Sequence, residues 1–99
     1  MFIVDLNYIV PLEQIDAHMK EHMVFLNKYY KKNIFITSGR KVPRTGGIIL
    51  AFAESKEHLA SIMDEDPFCI HHLARYTITE FQTSQASAAM KEALKGRSA

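Results

Sequence analysis

Cysteine occurs once in this 99-residue chain, no charge of either sign prevails, and no apolar run is long. A lone Cys69 excludes an internal disulfide framework. It sits in an apolar neighbourhood, Phe68-Cys69-Ile70, where a free thiol behaves as a small hydrophobe rather than as a nucleophile. Twelve Lys and Arg against eleven Asp and Glu give a formal charge of +1, with both signs mixed along the chain. That pattern leaves no basic footprint, so no nucleic-acid partner is expected. No stretch approaches the ~20 apolar residues of a membrane-spanning helix, and Met1-Phe2-Ile3-Val4-Asp5 lacks the basic region of a signal peptide. We therefore expect a cytoplasmic protein with no membrane partner. No repeat is visible at any period of about 20 residues or more.

What is there is ordinary globular composition, 47% hydrophobic and 23% charged, on a length that fits one domain. A chain this short buries only about 60–65% of the surface its unfolded form exposes, so dimerisation is a common way to gain the rest. Residues Phe2 to Ile9 alternate as a strand, with Phe2, Val4, Leu6 and Tyr8 on one face. After Pro11, the residues Leu12, Ile15, Met19, Met23, Leu26 and Tyr30 recur at helical spacing up to Lys31-Lys32-Asn33. Ile34–Thr37 reads as a second strand, and the apolar run Ile48–Phe52 after Gly46-Gly47 as a central third strand, covered on both faces. Ser55 caps a second helix with the stripe Leu59, Ile62, Met63, interrupted at Pro67. Arg75–Phe81 alternates as a fourth strand.

This order, strand, helix, strand, strand, helix, strand, predicts an α+β ferredoxin-like βαββαβ sandwich, a four-stranded antiparallel sheet with two helices on one face. The domain is expected over residues 1–82. Residues 83–99 form an extension in which Ala86, Ala89, Met90, Ala93 and Leu94 predict a short terminal helix, frayed from Gly96 onward. The second sheet face, carrying Arg75, Thr77 and Thr79, is expected to meet the sheet of a second copy in a homodimer.

Three features stand out chemically. His22 falls inside the apolar stripe, where it is either a core histidine with one hydrogen bond or a general acid or base. Asp66 ends the run Asp64-Glu65-Asp66, three carboxylates at a helix C-terminus, where the helix dipole disfavours them. Pro67 after it suits either a helix N-cap or a fixed presentation of the carboxylate. Third, Ser38-Gly39-Arg40 and Pro43-Arg44-Thr45-Gly46-Gly47 combine glycine, which permits close backbone approach, with Arg forks suited to a carboxylate or phosphate. The Gly-Lys-Ser/Thr ending of a phosphate-binding loop is missing. His18 and His22 stand four apart on the helix, but no Glu accompanies them in the HExxH manner, and His58 and His71-His72 lie far along the chain. Neither a metal nor a cofactor is expected.

Taken in order, His22 with Leu26, Ser38-Gly39, Gly46-Gly47-Ile48-Ile49 and Asp66-Pro67-Phe68 resemble the YciI-like family over roughly residues 2 to 82. The family pattern has Pro after Ser-Gly where this chain has Arg40. The resemblance implies a ferredoxin-like fold, a dimer through the sheet, a site centred on His22 and Asp66, and Ser38 as a neighbouring pocket residue. Relatives with similar folds include muconolactone isomerases and a dehydrochlorinase. The expected function is therefore general acid/base chemistry by His22 and Asp66, of isomerase, lyase or hydrolase kind. The small, anionic substrate would be held by Ser38, Gly39, Arg40 and Arg44. The alternative is a ligand-binding or regulatory dimer without turnover, because this fold hosts many functions.

Overall fold

The computed structural model describes residues 1–95, and the fraying expected from Gly96 onward lies outside them. The elements are β1 (Phe2–Tyr8), α1 (Leu12–Ala17), α2 (Met19–Lys31), β2 (Phe35–Arg40), β3 (Gly46–Ala51), α3 (Lys56–Met63), α4 (Pro67–Ile70), β4 (Ala74–Glu80) and α5 (Ala88–Ala93). The strands form one antiparallel sheet in the order β2-β3-β1-β4. This is the ferredoxin-like α+β arrangement, with each crossover helix divided in two.

Alternation on β1 sets the register. Phe2, Val4 and Leu6 are buried, and Val4 lies between Ile49 of β3 and Ile78 of β4. Their layer packs against Ile15 of α1, Phe25, Leu26 and Tyr29 of α2, and Leu59, Ile62 and Met63 of α3. Gly46 is obligatory for this pairing, since a Cβ there would stand 1.8 Å from the Leu6 carbonyl oxygen. Ser55 caps α3 by accepting from the His58 N–H, and Asn33 takes the left-handed conformation, φ 58°, that ends α2.

Two expectations are corrected. The first helix is not continuous: His18, at φ −112° and ψ 7°, leaves helical geometry and separates α1 from α2. Because the helical phase restarts at Met19, Phe25, Leu26 and Tyr29 take the core face, while Met23 is 46% exposed. Nor does one chain cover β3 on both faces. Leu50 is half-buried and Ile48 is 37% exposed on the outer face, the face that also carries the exposed Thr77 and Thr79 across β1. Among the described residues, no helix is long and apolar enough to cross a membrane.

Candidate functional site

The segment Asp66-Pro67-Phe68 builds the back of the site. Pro67 occupies the first position of α4, where its missing N–H costs nothing, and its ring holds Asp66 extended at φ −67° and ψ 124°. The Asp66 side chain then caps α4, Oδ1 accepting from the Phe68 N–H at 3.0 Å. Asp66 is fully buried, and the same Oδ1 lies 2.8 Å from Nδ1 of His22. With Asp66 as a carboxylate, which only accepts, Nδ1 is the donor of this hydrogen bond and Nε2 is the ring nitrogen it leaves unengaged. The imidazole also lies flat on Phe68, centroids 4.0 Å apart and planes 7° from parallel. One turn of α4 thus sets both the plane of the His22 ring and its rotation within that plane.

His22 lines a cavity of about 610 Å³ between α2 and the ends of β1, β2 and β3, whereas Asp66 does not reach it. The two residues are brought together, with the histidine in front and the carboxylate behind. Met19, Met23, Leu26 and Ile49 make the cavity largely apolar, and Ser38, Gly39, Arg40 and Arg44 all line it. The Ser38 hydroxyl is hydrogen-bonded to the Tyr30 hydroxyl. Arg44 donates from Nη2 to Asp16 at 2.5 Å, and its buried Nε has no partner among the described groups. That hydrogen bond holds the Asp16 carboxyl below, and the Arg44 guanidinium above, their ordinary values. Arg40 makes no side-chain hydrogen bond or ion pair among the described residues and is exposed. An apolar chamber with one oriented imidazole and two guanidinium groups can take a small anion and exchange a proton with it.

Sequence reasoning missed Tyr8, Asp16 and Tyr30, which also line the cavity. The two tyrosines were legible only as members of apolar stripes. Their signal is the phenol at the end of such a stripe, a polar tip that has to find a partner. Asp16 carried no signal, because its role depends on Arg44, 28 positions away. Cys69 is half-buried and does not line the cavity, and burial pushes its thiol up to about 12.

Residues 1–82 match the family described as YCII-related domain. No curated protein matches the chain. Among solved structures the fold is similar to that of 5-chloro-2-hydroxyhydroquinone dehydrochlorinase from Burkholderia phenoliruptrix AC1100 in complex with 2,5-dihydroxybenzoquinone. The TM-score is 0.69 at 18% identity, over 83% of this chain and 94% of that one.

Proposed function

The chain belongs to the YCII-related domain family, and we propose that it is a small-molecule enzyme in which His22 acts as general base or acid on an anionic substrate held in the cavity. The observation that carries this reading is the 2.8 Å contact between His22 Nδ1 and the buried Asp66, behind a ring that faces the cavity. Asp66 holds the ring and balances the charge of the imidazolium that forms when Nε2 takes a proton. Arg40 and Arg44 orient the substrate's anionic group, and the methionines keep water away from the reacting carbon. About 610 Å³ accommodates a single substituted ring. The dehydrochlorinase with its hydroxylated quinone supplies the first substrate class to try: removal of a ring or ring-adjacent proton, with loss of a leaving group or a shift of a double bond. We further propose that the protein works in the cytoplasm as a homodimer, closed over the face that carries Ile48, Leu50, Thr77 and Thr79.

The test uses 2,5-dihydroxybenzoquinone as a binding probe in calorimetry and 5-chloro-2-hydroxyhydroquinone as a turnover probe, followed by chloride release. His22→Asn is expected to lower turnover at least about a hundredfold, the range of general acid/base contributions, with probe affinity within about threefold of wild type. Arg44→Ala is expected to weaken the probe. Wild-type binding without turnover of this or related hydroxylated rings would favour a ligand-binding module instead, and turnover that survives His22→Asn would remove His22 from the proton-transfer role.

A further inference from the structure

Away from the cavity, the break between α1 and α2 places His18 against His71, the residue that ends α4. Their rings stack at a centroid distance of 4.3 Å with 29° between planes. Both offer a nitrogen to one oxygen of Glu21: His18 Nδ1 at 3.6 Å and His71 Nε2 at 4.0 Å from Oε2. Neither distance is a hydrogen bond. His18 Nδ1 is nevertheless shielded from solvent and has no hydrogen-bond partner. Among the described residues, this is one group in which three ligand-bearing side chains converge, all three donor atoms lying within 4.8 Å of one another.

We propose that His18, Glu21 and His71 form a binding site for a divalent transition-metal ion of the zinc class. Two imidazole nitrogens and one carboxylate oxygen are a donor set such ions take, leaving one coordination position for water or an external ligand. A tetrahedral ion holds neighbouring donors roughly 3.3 Å apart, so the triangle needs to close by about an ångström, which rotation of partly exposed side chains supplies. The set was invisible as spacing, because only His18 and Glu21 share a helical turn, and His71 arrives from a separate element. Its position gives it a consequence. An ion there ties the start of α2, one turn before His22, to the end of α4, whose first turn presents Asp66 and Phe68. The site is independent of the chemistry proposed for the cavity.

The experiment titrates the metal-free full chain with Zn2+ in a weakly coordinating buffer by calorimetry, with the thermal unfolding midpoint read in parallel. One ion per chain is expected, together with a raised midpoint. His71→Ala and His18→Ala should each weaken binding at least tenfold and abolish the rise, and Glu21→Gln should weaken it severalfold. His71 is half exposed, so its replacement leaves the fold intact and keeps the test decisive even if His18→Ala disturbs the helix break. His58→Ala, outside the cluster, should leave affinity unchanged. Absence of binding at 1 mM Zn2+, unchanged affinity in His71→Ala, or loss of the site in His22→Ala with retention in His71→Ala would each overturn the proposal.

Discussion

Breaking the His22–Asp66 pair from either side should cost unequal amounts, and the inequality follows from burial. Asp66 is 0% exposed and His22 side-chain exposure is 12%. Removing the imidazole by His22→Ala leaves a fully buried carboxylate with only the Phe68 N–H as partner, since its Oδ2 has none. Truncating one member of a buried pair costs about 3–5 kcal/mol, and the ring stacked on Phe68 is lost as well. Asp66→Ala loses the helix cap, about 1 kcal/mol, and leaves Nδ1 without its acceptor, about 1–3 kcal/mol. It also removes the unpartnered Oδ2, which offsets part of that cost. We therefore expect about 3–4 kcal/mol for His22→Ala and about 2–3 kcal/mol for Asp66→Ala.

In the double variant the buried charge and the orphaned nitrogen disappear together. Its cost should fall short of the sum by about 1.5–3 kcal/mol, the range of a hydrogen bond to a charged group. At this size about 1 kcal/mol moves the thermal midpoint by roughly 4–8 °C, so His22→Ala should lower it by at least about 12 °C. The chain has no tryptophan, so urea unfolding is best followed by far-ultraviolet circular dichroism at pH 7. Additivity within about 0.5 kcal/mol would show that the two side chains do not act as a unit, and the site would lose its central feature.

Glu65 is held low by hydrogen bonds from Lys28 and Tyr29, and Asp16 by the one from Arg44. A carboxyl with a lowered folded pKa stabilises the fold above its unfolded value, near 4.5 and 3.8 respectively, and loses that contribution as pH falls through the lowered value. Glu65→Gln should accordingly flatten the decline in stability between about pH 5 and pH 2, measured by urea midpoints. Cys69, pushed up to about 12 by burial and by the Asp66 and Asp64 charges, should react with a disulfide reagent at pH 8 at least roughly tenfold more slowly than in urea. Equal rates would contradict its burial. Sedimentation equilibrium at micromolar concentration should give twice the 11.3 kDa chain mass, and a Thr77→Glu substitution on the open face should shift it toward monomer. Asp16→Ala frees the Arg44 fork and should tighten binding of an anionic probe severalfold by calorimetry, whereas a weaker complex would place the anion elsewhere.

The element order was legible because its signals are local. The alternation of Phe2, Val4 and Leu6, the Ser55 cap and the stripe Leu59, Ile62, Met63 each follow from backbone period and capping chemistry. The break at His18 was not legible. No Pro or Gly marks it, and the apolar periodicity of Leu12 to Tyr30 runs through it almost undisturbed. That break is what exchanged Met23 for Phe25 and Tyr29 in the core. At the site, His22 drew attention as a titratable ring in an apolar stripe, and Asp66 as a carboxylate at the wrong end of a helix. Their contact spans 44 positions, so no spacing rule reports it, and it entered the sequence reading only through the family resemblance. The ion pairs of Arg44 with Asp16 and of Lys28 with Glu65 are equally long-range and went unread.

The helix cap and the contact with His22 do not compete for Asp66, because one oxygen, Oδ1, makes both hydrogen bonds. The cap fixes that oxygen relative to α4, and Phe68, two residues on, lays its ring under the imidazole. Both contacts of the His22 ring, the acceptor and the stacking platform, thus come from one short element. Such coupling costs stability, since the buried Oδ2 has no partner. A helix cap alone gives no reason to keep it, since Ser or Asn would serve about as well. What they lack is the negative charge that an imidazolium at His22 would need behind it, and that difference is the reason for proposing proton transfer at His22.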